Sequence, residues 1–192
     1  MKRRIFDKLV SFVGLGLAAL LLIFGGMLNF GAAFANDSVQ SQLENQNIAF
    51  PIEAGLPSES KAQLLKWAGK QVVSGEMARD YSDLYIWEHM KAASISVLGK
   101  PATYSEVSSA YLTAQRSGGT DAVQLKKLAD LQDTLFMGNT LRGMLLEAYA
   151  FGTLGVIAGY ASIACFVGGF LFLLLGIAGL MHIRRTPEDA TI

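Results

Sequence analysis

With 192 residues, of which 52% are apolar and only 17% charged, the chain is unusually hydrophobic for a small soluble domain. Its formal net charge is zero, and neither a basic patch nor a glycine-rich phosphate-binding motif indicates binding to nucleic acid or nucleotides. The charges are distributed unevenly. Two long segments have none, whereas the interval between them, 36–147, contains ten Lys or Arg and thirteen Asp or Glu. This division predicts a membrane protein with a polar domain between two apolar segments.

The first uncharged segment, 9–35, follows a basic N-terminus, 1–8, and has two interpretations. Ala33-Phe34-Ala35 resembles the small-residue site at which a secretory signal is cleaved. The apolar region of a signal has about 7–15 residues, however, whereas about 20 apolar residues are needed to cross a bilayer. The length of 9–35 therefore favours an uncleaved transmembrane helix, with a cleaved signal as the alternative.

The second uncharged segment, 148–183, is also long enough to cross a bilayer, and Arg184 and Arg185 follow it directly. Because basic residues flank membrane spans on the cytoplasmic side, the residues 1–8 and 184–192 are both expected in the cytoplasm. The sequence thus predicts an all-α protein of the cell membrane. Its two transmembrane helices form a hairpin, and 36–147 form a small helical domain outside the cell.

Within the outer domain, the residues 36–60 are rich in Gln, Asn and Ser and are predicted to form a loop. Apolar residues at helical spacing predict one helix over about 59–74, which Gly75 ends, and a second over about 76–94, which Gly99-Lys100-Pro101 ends. A capping box formed by Thr103 and Glu106 begins a short third helix.

The pair Gly118-Gly119 is expected to end the third helix, and Asp121 opens a fourth. No proline follows before Arg185, so the fourth helix is predicted to continue into the second membrane segment. A bend near Gly138 or Gly143 is the alternative. No alternation of apolar and polar residues indicates a β-strand anywhere in the chain.

The residue types needed for catalysis are few. His89 and His182 are the only histidines, and the predicted topology places them on opposite sides of the membrane. They cannot share an iron or zinc ion, and the single cysteine, Cys165, lies within an apolar segment. Asp80 and Asp83, one helical turn apart, are typical of a solvated helix face. We therefore expect no enzymatic activity, no metal and no cofactor.

Small residues recur in the second membrane segment every seven positions, at Ala148, Gly155, Ser162, Gly169 and Gly176, with Gly152 and Gly159 beside them. Small side chains let helices approach closely in lipid, where packing drives their association. The candidate helix-packing residues are Gly152, Gly155, Gly159, Gly169 and Gly176. Their partner is expected to be either a subunit of a larger complex or the first membrane segment, whose own small residues include Gly14, Ala18, Gly25 and Ala32.

Two sequence blocks carry a resemblance to a known family. They are Gly-Lys-Pro-Ala-Thr-Tyr-Ser-Glu-Val at 99–107 and Leu-Phe-Met-Gly-Asn-Thr-Leu-Arg-Gly-Met-Leu-Leu-Glu-Ala-Tyr-Ala-Phe-Gly at 135–152. The chain resembles a family of small two-span actinobacterial membrane proteins that are often labelled aromatic ring-opening dioxygenases. The label conflicts with the separation of the two histidines. The chain is also similar to the accessory association factor of the actinobacterial cytochrome bcc–aa3 respiratory supercomplex, which implies a non-catalytic role.

Three hypotheses of function follow. The favoured one is a non-catalytic accessory subunit of a membrane complex, with cytochrome bc-type and cytochrome oxidase subunits as its partners. An extracytoplasmic enzyme would need a group of catalytic residues that the sequence does not offer. The third hypothesis is a protein that binds a ligand or lipid among the aromatic side chains of Trp67, Tyr81, Tyr85, Trp87 and Tyr111. These rings are also what a small hydrophobic core requires.

Overall fold

The computed structural model describes residues 3–118 and 121–187. Six α-helices follow one another: α1 (Arg3–Gln46), α2 (Lys61–Leu64), α3 (Gly75–Asp80), α4 (Trp87–Leu98), α5 (Tyr104–Ser117) and α6 (Ala122–Ile183). Among the described residues no strand is formed, and one isolated antiparallel bridge joins Ala49 to Gln71. The prediction of an all-α chain is confirmed. Two of the helices, α1 and α6, are long and apolar enough to cross a membrane.

The predicted loop over 36–60 is wrong in its first part, because α1 continues to Gln46. Val39 and Leu43, four residues apart and therefore on one face of the helix, are both buried in a hydrophobic core. That burial outweighs the low helix propensity of the surrounding polar residues. The helix ends at Asn47, which has a φ of 51° and donates its N–H to the carbonyl of Glu44.

The helix predicted over 59–74 is formed only in its first half, as α2 and a 3₁₀ turn over Leu65–Trp67. Gly69, with a φ of 72°, turns the chain into an extended segment. The N–H of Val72 then donates to the carbonyl of Ile48, and the N–H of Phe50 donates to the carbonyl of Lys70. Backbone pairing with a distant segment thus replaces the second half of the predicted helix.

The helix predicted over 76–94 is formed by three consecutive parts: α3, a π-helical stretch over Tyr81–Ile86, and α4. The side chain of Ser74 caps the start by accepting a hydrogen bond from the N–H of Met77. Gly99, in the left-handed conformation, ends α4 after Leu98, which confirms the predicted break at Gly99-Lys100-Pro101.

The capping box of α5 is present as predicted. The hydroxyl of Thr103 accepts from the N–H of Glu106, whose carboxylate accepts from the N–H of Thr103. Gly118, in the left-handed conformation, follows the helix, and Gly119 lies outside the described residues. The next helix, α6, runs without interruption through Gly138 and Gly143. Residues 1–2 of the predicted N-terminal segment and 188–192 of the predicted tail also lie outside the described part of the chain.

The chain divides into two compact units. The paired-helix unit comprises Met1–Asn36 and Leu154–Ile192, and the central unit comprises Asp37–Thr153. The central unit has two hydrophobic clusters. One is built around Phe50, Leu64 and Val72, and the other contains Val107 and Leu135.

Candidate functional site: the small-residue helix interface

Both helices of the paired-helix unit carry a buried small residue at every seventh position. In α1 these positions are Ser11, Ala18, Gly25 and Ala32, and in α6 they are Gly155, Ser162, Gly169 and Gly176. A repeat of seven corresponds to about 3.5 residues per turn, which keeps one stripe of each helix against its neighbour when the two wind left-handedly. The small residues of each helix therefore face the other helix.

The contacts run in opposite directions along the two helices. A methyl group added at Gly176 would lie 2.8 Å from the side chain of Leu15, and one added at Gly159 would lie 3.9 Å from the Cβ of Ala32. Near the other end of the interface, a methyl group at Gly155 would lie 3.2 Å from the Cβ of Ala35. Contact positions rise along α1 as they fall along α6, so the two segments pack antiparallel in one continuous register.

The helices also approach closely in the middle of the interface. A methyl group added at Gly25 would lie 3.1 Å from the ring of Phe166, and one at Gly169 would lie 2.9 Å from Leu22. The buried hydroxyl of Ser162 donates a hydrogen bond of 2.8 Å to the carbonyl oxygen of Gly25. Such bonds between membrane helices contribute about 0.6 kcal/mol on average. Glycine and serine are therefore required here by the narrow space between the backbones.

The five predicted helix-packing residues fall into two groups. Four of them, Gly155, Gly159, Gly169 and Gly176, lie against α1 of the same chain. Gly152 instead belongs to the central unit, where an added methyl group would lie 3.3 Å from the Cα of Gly75. Of the two partners considered for this surface, the structure places the first apolar helix there.

The opposite faces of the same two helices carry large apolar side chains that are exposed, among them Phe12, Phe24, Phe30, Phe170 and Leu174. Contiguous apolar surface of this extent is rare on monomeric soluble proteins. Hydrocarbon is the medium that accommodates it without free-energy cost. The paired-helix unit thus has small residues inside and large apolar residues outside, which is the arrangement expected of two membrane helices.

In the central unit, Asp80 is buried, with 5% of its surface exposed. Its carboxylate accepts hydrogen bonds from the indole N–H of Trp67 at 2.9 Å, from Lys66 at 3.1 Å and from Arg79 at 3.0 Å. Burial acts to raise the pKa of Asp80, but these three donors outweigh burial and hold its pKa below the usual value. The prediction of a solvated carboxylate is therefore wrong for Asp80.

Asp83 is half exposed and pairs with Arg142 of α6, whose Nη2 lies 3.0 Å from its carboxylate. The same guanidinium donates from Nε to the carbonyl of Ser82 at 3.2 Å and lies 4.7 Å above the ring of Trp87. No local sequence pattern indicates this contact, because almost sixty residues separate the two partners. Arg142 thus fastens α6 to the π-helical stretch of the central unit.

The π-helical stretch over Tyr81–Ile86 is held by side chains from several parts of the central unit. Besides the bond from Arg142, the hydroxyl of Ser60 donates to the carbonyl of Leu84 at 2.6 Å, and Nδ1 of His89 lies 2.9 Å from the carbonyl of Tyr85. Because a carbonyl can only accept, His89 donates from Nδ1. The histidine that sequence analysis weighed as a metal ligand is therefore engaged in a contact that stabilises the π-helical turn.

The aromatic residues considered as a ligand site pack against one another. The ring of Phe50 lies 6.4 Å from that of Trp67 and 5.0 Å from that of Tyr81, which in turn lies 4.8 Å from Tyr85. Trp87 packs against the second cluster. The first three candidates thus fill the core of the central unit instead of lining a common space.

Groups of three or more His, Cys, Asp or Glu side chains placed to hold a metal ion are absent from residues 3–118 and 121–187. Comparison of the chain with protein-family models, with curated proteins and with solved structures finds no match in any of the three. The class of protein defined by the structure is an all-helical chain with two potential membrane-spanning helices.

Proposed function

We propose that the protein is a non-catalytic accessory subunit of a complex in the cell membrane. In this proposal α1 and α6 form a transmembrane hairpin, both termini lie in the cytoplasm, and 36–147 lie outside the cell. The observation that carries the proposal is the arrangement of the paired-helix unit, with buried small residues between the helices and large apolar side chains on their outer faces. Such a unit serves as an anchor in the membrane.

The polar residues of the central unit support a structural role. Asp80, Arg142 and His89, which are the residue types that catalysis most often uses, each contact the chain's own side chains or backbone. A catalytic group needs a free face that substrate can reach. The contacts of Asp80 with Trp67 and of Arg142 with Ser82 instead join separate segments of the central unit.

We further propose that the complex is the actinobacterial cytochrome bcc–aa3 respiratory supercomplex. This step rests on the sequence resemblance of 99–107 and 135–152. In the second of these blocks, Gly138, Arg142 and Leu145 pack inside the central unit, so part of the block is accounted for by the chain's own packing. The remaining, exposed part of the block is available to a partner.

The test is co-purification from native membranes. The tagged chain is extracted in mild detergent, and cytochrome bc-type and cytochrome oxidase subunits in the eluate are quantified by mass spectrometry. We expect both types of subunit to be enriched over an untagged strain. A wild-type chain that is stable in the membrane and brings down neither type would contradict the supercomplex assignment.

A chain carrying Gly155→Leu and Gly159→Leu tests what the helix interface contributes. Because leucine at Gly155 would collide with Ala35 and Asn36, we expect the helix pair to separate and the respiratory subunits to be lost from the eluate. Gly26→Leu with Gly31→Leu is the matched control, because a Cβ added at either position of α1 meets nothing within 4 Å. Equal recovery with the double variant would place the contact with the complex outside the helix pair.

A further inference from the structure

The segment of α6 within the central unit has a stripe of exposed apolar side chains that no described residue covers. Met137, Met144 and Phe151 are spaced seven residues apart and are 63%, 56% and 53% exposed. Leu141, 43% exposed, lies between the first two, so the spacing alternates between four and three residues. This is the spacing of the contact seam of a two-helix coiled coil. We call these four residues the α6 stripe.

Another face of the same segment is already occupied. Gly138 lies against Met90, Leu145 is 3% exposed, and Gly152 lies against Gly75. The chain's own packing therefore accounts for that face and leaves the α6 stripe without a function in the fold. Methionine and aromatic residues are the types enriched in the centres of protein–protein interfaces.

Two carboxylates border the stripe. Asp133 and Glu147 are both exposed, and neither makes a hydrogen bond or ion pair with another described residue. Because the helix turns by about 100° per residue, the two carboxylates share an arc of about 80° of the helix surface with Met137, Met144 and Phe151. Fourteen residues separate them, which corresponds to about 21 Å along the helix.

The carboxylates argue against lipid as the occupant of the stripe. An ionised carboxylate is disfavoured in hydrocarbon, and Asp133 and Glu147 lie on the same face as the apolar side chains. The apolar part of α6 after the stripe, 154–181, has 28 residues, or about 42 Å of helix, and already exceeds the roughly 30 Å of a bilayer core. The α6 stripe is thus not needed to cross the membrane.

The same carboxylates argue against a second copy of this chain. A symmetric pair of copies joined through the stripe would bring four carboxylates into one interface. The only cation between 133 and 151 is Arg142, and it is already bound to Asp83. Charge complementarity therefore favours a different partner that supplies basic side chains.

We propose that the α6 stripe docks an apolar helix of another integral membrane protein, in coiled-coil packing, with Lys or Arg side chains of that helix about 21 Å apart against Asp133 and Glu147. This inference rests on the proposed function as an accessory subunit and names one surface, in addition to the helix pair, by which the subunit is held. It does not depend on which membrane complex supplies the helix.

The test is photo-cross-linking of the full-length chain in intact cells. A benzoylphenylalanine is incorporated at Met137 or Met144, and cross-linked peptides are identified by mass spectrometry. Val123, on the same helix and 60% exposed, is the matched control position. We expect products at the two stripe positions, absent at the control, that map to an apolar helix bearing Lys or Arg in an integral membrane protein.

Every other outcome overturns the proposal. Cross-links to lipid would show that the stripe faces the bilayer, and cross-links to the same chain would show that copies associate through it. No product above the level of the Val123 control would show that the stripe is not an interface. If the cross-linked protein is not a respiratory subunit, the docking surface stands and the supercomplex assignment fails, so the two failures are distinguishable.

A charge-reversal variant tests whether the partner supplies basic side chains. Asp133→Lys with Glu147→Lys places like charges against the basic residues of the partner, and we expect the cross-link yield at Met144 to fall by about tenfold. The same reversal at Asp37 and Glu59, which are exposed and outside the stripe, controls for net charge. An unchanged yield with the stripe reversal would contradict the assignment of a basic partner.

Discussion

The packing inside the paired-helix unit differs in kind from the packing inside the central unit. In the paired-helix unit, glycine, alanine and serine bring two backbones close together, and the contacts repeat every seven residues. In the central unit, aromatic rings and ion pairs join segments that are far apart in the chain, as Arg142 and Asp83 do. Hydrocarbon provides no hydrophobic drive between helices, so close packing must supply the attraction. In water, the hydrophobic effect drives packing, and large aromatic rings bury the most apolar surface.

The largest effect on stability is expected at Asp80, the buried carboxylate of the central unit. Asp80→Asn keeps the shape of the side chain but removes the charge that Lys66, Arg79 and the indole of Trp67 face. Because the two cations are 40–50% exposed, solvent screens part of the loss, and we expect the central unit to be destabilised by about 2 kcal/mol. Urea unfolding of the detergent-solubilised chain measures it, because both tryptophans, Trp67 and Trp87, lie in the central unit. No change in the midpoint would mean that the buried charge does not stabilise the unit.

Acid should affect the same site. The pKa of Asp80 is below its ordinary value of 3.8 in the folded chain, so its contribution to the free energy of unfolding is fully present above about pH 4. It is lost as the pH falls through the lowered pKa. We expect the urea midpoint of the wild-type chain to fall below pH 4, with a smaller fall for Asp80→Asn. Parallel curves for the two chains would contradict the lowered pKa.

The next effect is expected in the paired-helix unit. A Cβ added at Gly25 lies 3.1 Å from the ring of Phe166, so Gly25→Leu would collide with it, whereas a Cβ added at the adjacent Gly26 meets nothing within 4 Å. We expect Gly25→Leu to weaken the association of α1 with α6 by on the order of 1–2 kcal/mol. The fraction of chains that cross-link through cysteines at Ala32 and Gly159, measured as SDS is added, reports this association. Equal loss of cross-linking in the Gly26→Leu control would show that the effect is not one of close packing.

A smaller effect is expected at the start of α5. Thr103→Ala removes the capping box and should destabilise the central unit by about 1 kcal/mol. Thr113→Ala in the same helix is the control, because its hydroxyl only donates back to the carbonyl of Ser109. The urea midpoint should fall for the first variant and stay within error for the second. A fall of equal size in both would assign the effect to the helix in general.

The difference between local patterns and contacts between distant segments explains which features the sequence could predict. Caps and glycine stops are local patterns, and they correctly placed the start of α5 and the glycine after it. The burial of Asp80 depends on Trp67, and the end of the predicted helix over 59–74 depends on backbone pairing with Ile48 and Phe50. Such contacts have no local signature. Gly152 shows the same limit, because its neighbour Gly75 had been interpreted only as the end of a helix.

The central claim is that α1 and α6 pack antiparallel in the membrane through their small residues. It is tested most directly by Ala32→Cys with Gly159→Cys, in a chain where Cys165 is replaced by alanine. A Cβ added at Gly159 would lie 3.9 Å from that of Ala32, which suits a disulfide. A protease site inserted between Gly118 and Asp121 lets oxidised chains be recognised as two fragments that stay joined. In native membranes we expect joined fragments for this pair and separate ones for Gly31→Cys with Gly159→Cys, since a Cβ at Gly31 meets nothing within 4 Å. Separate fragments for the first pair, or joined fragments for both, would contradict the packing of the two helices.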